Sequence, residues 1–289
     1  MDSAFAWLIE PLSLPFMQRA LLGSVGVAVL CAVVGTFVVL LGLAFIGEGV
    51  SHGSLAGLAL AFVMKLDLLL VGIPFGIGLA LLIGYLAERT RTRFDAAVGV
   101  VFATSAAMGI ALISAVRIFP DLNSYLFGNV LAIRPIDLAF LGAGGLLVVV
   151  VVVLLQKELV LLAFDPEMAR VMGVPTRPIY YLLLGLIGLT VVICLRTVGL
   201  ILVTALLVIP ASAGRQLANR VPTMMLTAVV VSVISAFGGL LLSYHLSISS
   251  GASIVLCSAF CFAMSLVLSR GRLHVPVLKS FGLAGASGE

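Results

Sequence analysis

Residues 20–64 read ALLGSVGVAVLCAVVGTFVVLLGLAFIGEGVSHGSLAGLALAFVM, 45 residues between Arg19 and Lys65 that hold one acidic side chain, Glu48, one imidazole, His52, and no lysine or arginine. A run this long and apolar reads as membrane helix. Outward from it the pattern repeats. Apolar windows long enough to cross about 30 Å of hydrocarbon fall near 17–42, 50–64 with 67–87, 95–116, 137–156, 178–195, 198–213, 222–244 and 250–269. The chain of 289 residues is 62% hydrophobic and 10% charged, with mean hydropathy +1.31, too few charges to cover a soluble surface. The expected fold class is therefore an all-α polytopic membrane protein with eight or nine transmembrane segments. The count turns on the glycine-rich stretch after Phe45 and the short break at 195–199, where unwound backbone could line a cavity.

Basic residues set the orientation. Eleven of the sixteen Lys and Arg fall in four places: Arg89, Arg91 and Arg93; Lys157, Arg170 and Arg177; Arg215 and Arg220; Arg270, Arg272 and Lys279. Those segments are expected in the cytoplasm, and the loop 117–137 outside. Nine crossings would put the N-terminus outside and eight would put it inside. The net charge of +4 reflects this bias, and the basic residues are not gathered as a nucleic-acid surface would require. The expected organisation is an extramembrane segment at 1–16, one transmembrane domain at 17–270 and a cytoplasmic tail at 271–289. The N-terminus lacks a basic leader with a small-residue cleavage site, so the first helix is expected to be retained. The chain carries no glycine-rich lysine loop for phosphates, so any ATP would be bound by another subunit.

Glu48 and His52 stand at i and i+4 and share one helix face. A carboxylate and an imidazole in an apolar run cost several kcal/mol unless they bind something or each other, so the pair reads as a place where a cation or a proton stops. Gly49, Gly53 and Gly57 form a neighbouring ridge at four-residue spacing; such ridges let helices approach closely, which would turn the polar stripe toward the interior. The bland alternatives are a mutual hydrogen bond, or a cytoplasmic turn near Phe45 that keeps Glu48 wet. As ligands, one carboxylate and one imidazole suit divalent ions such as zinc, manganese or iron. An incomplete shell suits transport, because a permeating ion must leave again.

His245, in Ser243-Tyr244-His245, is a weaker candidate for metal capture at the outer mouth; an interfacial amphipathic tip is the plainer reading. His274 sits among cytoplasmic basic residues. Asp67 with Lys65 reads as an interfacial ion pair. The four cysteines, Cys31, Cys194, Cys257 and Cys261, lie in apolar spans and read first as small hydrophobes, although Cys257 and Cys261 share a face that two metal-bound thiolates could use.

Met17-Gln18-Arg19-Ala20-Leu21, Ala44 to Gly53, Tyr125-Leu126-Phe127-Gly128-Asn129-Val130-Leu131-Ala132, Asp165-Pro166-Glu167-Met168-Ala169-Arg170-Val171-Met172-Gly173, and Val198 to Leu200 with Leu207 to Ala211 resemble, in the same order, stretches of the permeases of zinc and manganese ABC importers. The resemblance spans some 250 residues. It implies an all-helical fold of the vitamin B12 importer type, in a bacterial inner membrane, with the pore at the interface of two permeases. It implies two cytoplasmic ATPase subunits that bind the ATP, an extracytoplasmic metal-binding protein, and zinc or manganese, with iron also in range, as cargo. The chain itself would do no covalent chemistry. By the same resemblance Glu48 and His52 occupy the family's metal-contacting Asp and His positions, with Glu in place of the usual Asp. The run 211–222, with Ala211, Gly214, Arg215, Gln216 and Arg220, is expected to be a coupling helix seated in the ATPase. Asp165, Glu167 and Arg170, in a short helix capped by Asp165 with Pro166 at its first position, are the second candidate contact. Near the C-terminus Ser247 and Ser249 stand where the family often has an Asp and a Pro. A proton-coupled secondary carrier and an ABC permease for a bulky metal chelate are the rival readings; the first would leave inverted repeats, and none is evident.

Overall fold

The computed structural model describes residues 13–90, 93–116 and 133–269. The expected extramembrane segment up to residue 12, Arg91, the 125–132 motif and everything from Arg270, including His274 and the tail, lie outside the described residues. Within them the helices are α1 (Pro15–Leu40), α2 (Ile46–Met64), α3 (Leu68–Thr90), α4 (Phe94–Val116), α5 (Pro135–Leu154), α6 (Gln156–Phe164), α7 (Pro166–Val171), α8 (Thr176–Val198), α9 (Leu200–Leu217), α10 (Val221–Leu246) and α11 (Ser250–Ser269). Nine of these are long and apolar enough to span a membrane, α6 and α7 being the short ones. The sequence admitted eight or nine crossings; both doubtful breaks prove to be real turns between separate helices. The first spans Leu41–Phe45 and the second is the single residue Gly199.

Both turns use glycine where its freedom is needed. Gly42 has φ +70° and Gly199 φ +85°, backbone that a β-carbon disfavours. Each lets the chain leave one helix and start the next within a few residues. The helices fall into two groups. α2, α3 and α4 pack on one another, with α8 laid along α3; α9, α10 and α11 pack on one another, α9 and α10 also pack on α1, and α5 and α8 lie against α1. The first turn joins α1 to α2 and Gly199 joins α8 to α9, so both connect one group to the other.

The glycine ridge of α2 does what small residues do. A β-carbon at Gly49 would meet Val98 and Ile83, one at Gly53 would meet Leu79 and Ser105, and one at Gly57 would meet Phe75. The ridge thus seats α2 between α3 and α4. The same closeness recurs between α1 and α9, where Gly35 lies against the Leu207 backbone.

The expected coupling helix at 211–222 is not a separate helix. Residues 211–217 continue α9, and only Ala218–Arg220 intervene before α10. Ala211 is fully buried, and a β-carbon at Gly214 would lie 2.6 Å from the Met224 carbonyl oxygen, so these two residues are packing contacts and cannot form a protruding knob. Arg215, Gln216 and Arg220 remain exposed. Pro210 does not break the helix; membrane helices tolerate proline where neighbours satisfy the freed backbone.

Candidate functional site

Glu48 lies in the first turn of α2 and His52 one turn on, and the two side chains meet. His52 Nδ1 is 3.2 Å from the Glu48 carbonyl oxygen and 3.8 Å from its carboxylate Oε1. The edge of the imidazole stands perpendicular to the Phe102 ring of α4, centroids 5.2 Å apart, which fixes the ring plane. Ala44, Phe45, Leu200, Ile201, Thr204, Ala205 and Val208 complete an open groove of about 490 Å³ between the start of α2 and the outer half of α9.

The helix register gives its depth. Gly49 lies beside Val98, five residues past Arg93, and beside Ile83, six residues before Arg89; the groove reaches Val208, seven residues before Arg215. At 1.5 Å per residue Glu48 sits about 7–10 Å inside the ring of arginines at these helix ends, and His52, one turn on beside Phe102, about 5 Å deeper. The pair therefore lies within the span, between its basic end and its middle.

The pair does not face the chain's interior, as the glycine ridge suggested it would. The Glu48 side chain is 56% exposed and that of His52 26%. The physical reason is helical geometry: the ridge occupies the face toward α3 and α4, and residues one position before each glycine point about 100° away, over the seam with α9. In one chain the pair is thus half-open at membrane depth, where an uncovered carboxylate is costly. Among the described residues no group of three or more His, Cys, Asp or Glu is placed to hold a metal; Glu48 and His52 stand there as a group of two.

The other sequence candidates lie apart. His245 is in the last turn of α10, half-buried against Tyr244 at a ring distance of 5.2 Å, and does not line the groove. Cys257 and Cys261 are half-buried on α11. Asp165 accepts from the Met168 amide at 2.9 Å, capping α7, with Glu167 in the first turn and Arg170 in the last, as the helix dipole favours. Beside them Phe164, Met168, Val171 and Met172 are exposed, Val171 to 81%. Together they form an exposed apolar edge on the connection between α5 and α8.

One charged cluster gave no sign in the sequence. Arg196, near the end of α8, donates from Nε to Asp137 Oδ1 at 2.8 Å and lies 3.6 Å from Asp67 Oδ1. Asp137, at the start of α5, also accepts from Arg134 at 3.2 Å and is buried. Asp67, expected to pair with Lys65, instead pairs with Arg196 and caps the Leu69 amide. Carboxylates at two helix N-termini and a guanidinium at a C-terminus agree with the helix dipoles. The cluster ties the outer ends of α3, α5 and α8 together.

Residues 13–269 match the family described as the ABC 3 transport family. Among curated relatives, the manganese transport system membrane protein MntC of Halalkalibacterium halodurans is 38% identical over 89% of each chain. A probable iron transport system membrane protein of Haemophilus influenzae is 35% identical over 93% of this chain and all of its own. Among solved structures, PsaBC from Streptococcus pneumoniae in complex with Fab is 30% identical, covers 91% of this chain and 95% of that one, and superposes with TM-score 0.81. An inward-facing metal-chelate type ABC transporter shares the fold at TM-score 0.69 and 20% identity.

Proposed function

The chain belongs to the ABC 3 transport family, as a multi-pass membrane permease for metal, and we propose that Glu48 and His52 are its transient station for a divalent transition metal, completed by a second copy of the chain. The observation that carries this is the half-open pair at membrane depth, with no third His, Cys, Asp or Glu beside it among the described residues. A two-fold partner bringing its own pair over the seam would cover the exposed carboxylate and give two carboxylates and two imidazoles around one ion. Neutral imidazole and carboxylate accept manganese, iron and zinc alike. Relatives named for manganese and iron favour those two as cargo. Manganese binds N/O sites most weakly of the first-row divalent ions, which suits a site that must release.

The geometry supports the following route. An extracytoplasmic metal-binding protein delivers the ion, the paired sites hold it, and separation of the two copies' α2 helices parts the ligands on the cytoplasmic side. Each 1.4 kcal/mol of difference between the two states changes affinity about tenfold. ATP is bound and hydrolysed by partner subunits. Their contact is the α6–α7 connection, where Phe164, Met168, Val171 and Met172 are exposed, with Arg215, Gln216 and Arg220 as a polar rim.

Uptake of labelled manganese by cells expressing the chain with its ATPase and binding protein tests the reading. Uptake abolished by ATP depletion and unaffected by collapsing the proton gradient agrees with it; the reverse pattern indicates a proton-coupled carrier.

A further inference from the structure

Cys31 of α1 and Cys194 of α8 face each other in the core with their sulfurs 3.9 Å apart. Both side chains are fully buried, and 163 residues of chain separate them. Neither touches the metal groove, and no step of transport uses them. Their place is nonetheless particular: α8 lies along α3 in one helix group, α1 belongs to the other, and the pair sits where the two groups meet. Gly42 and Gly199, the two left-handed turns that carry the chain between the groups, follow the two cysteine-bearing helices.

We propose that Cys31 and Cys194 are a modification site, at which a peroxide-class oxidant closes a disulfide between α1 and α8 and so locks the two helix groups. One sulfur, as its thiolate, attacks the peroxide O–O bond, giving a sulfenic acid and a hydroxide. The second thiolate then displaces hydroxide from that sulfur, forming the S–S bond. The two protons released by the thiols end on the two hydroxides. Two thiols are thus oxidised by two electrons and one peroxide becomes two waters. From 3.9 Å the sulfurs need to close by about 1.9 Å to reach the S–S bond length. Thiols buried in apolar surroundings react slowly, so closure awaits water entering the seam, and a cycling transporter is modified faster than a resting one. Cys257 and Cys261 provide a contrast, since a bridge within α11 would restrain no second helix.

The effect on uptake rests on the import reading above; the cross-link does not. Membrane vesicles carrying the complete transporter are treated with hydrogen peroxide, remaining thiols are alkylated, and digested peptides are weighed. The expected result is a linked pair containing Cys31 and Cys194, formed faster with metal and ATP present, with manganese uptake down at least fivefold and restored by dithiothreitol. Cys31→Ala and Cys194→Ala should each form no link and keep uptake under peroxide. Absence of the linked pair in the wild-type chain overturns the proposal, whether or not the variants fold. So does a link that leaves uptake unchanged, or an uptake loss that persists in the variants. Failure of the import reading would appear differently, as absent uptake before oxidant is added, with linkage intact.

Discussion

His52 Nδ1 lies 3.2 Å from the Glu48 carbonyl oxygen, and a carbonyl can only accept, so a hydrogen bond here requires Nδ1–H and, in the neutral ring, assigns the lone pair to Nε2. In the proposed metal station Nε2 is then the ligating atom, on the side of the ring away from the Glu48 main chain. The Glu48 carboxylate rests 3.8 Å from Nδ1, on the wrong side of the ring to share an ion with Nε2 of the same residue. It reaches a common ion either by swinging outward on its extra methylene or by serving the second copy's imidazole.

Glu48→Asp tests that reach. The shorter side chain keeps the charge and cannot swing as far, so uptake should persist while the preference for manganese over zinc shifts several-fold. Competition between the two ions for uptake measures it. An unchanged preference would show that the length of the acidic side chain plays no part in selection.

Gly35→Ala should push α1 from α9, because its β-carbon would run into the Leu207 carbonyl. The expected cost is about 1–3 kcal/mol, the usual penalty of overpacking. Gly238, on α10, has nothing within 4 Å of an added β-carbon. Gly238→Ala should be neutral or stabilise by up to about 1 kcal/mol. Denaturant unfolding of the purified protein in detergent compares the two, and equal stabilities would contradict the close α1–α9 approach.

Asp137→Ala leaves Arg196 without its buried partner. Breaking such a pair costs about 3 kcal/mol, toward the low end here because Asp67 remains 3.6 Å away. Replacing both residues, Asp137→Ala with Arg196→Met, should cost less than Asp137→Ala alone. A double replacement that is worse than either single one would remove the claim that the pair fastens the outer helix ends.

Val171→Asp with Met172→Asp places charge on the exposed edge beside α7. The chain should still insert and the ATPase should no longer co-purify with it, whereas Arg220→Ala should weaken that association only modestly. Full co-purification of the double variant would move the contact elsewhere.

The sequence disclosed these features unevenly, for physical reasons. Hydropathy located every long helix because each span is apolar all round, and the Asp165-Pro166 start of α7 was visible because capping is local. Glu48 and His52 stood out as a pair for the same reason: i to i+4 is a contact within one helix. Which way the pair faces was not visible, since that depends on α3 and α4 occupying the glycine face. The family resemblance gave 211–222 as one coupling helix and could not show that Ala211 and Gly214 are small so that α9 can pack, a contact made with other helices. The Asp137–Arg196 bond joins residues 59 positions apart, and no local pattern announces it. The departure from Asp at position 48 was plain in the sequence; its consequence needed the position of the imidazole.

The central claim is that metal passes through Glu48 and His52. Labelled manganese uptake should be measured in proteoliposomes carrying the permease with its ATPase and binding protein, comparing the wild-type chain with Glu48→Gln and His52→Ala after confirming that each variant assembles. The account predicts at least a tenfold loss in both variants with the complex intact. Wild-type uptake in either assembled variant would contradict it.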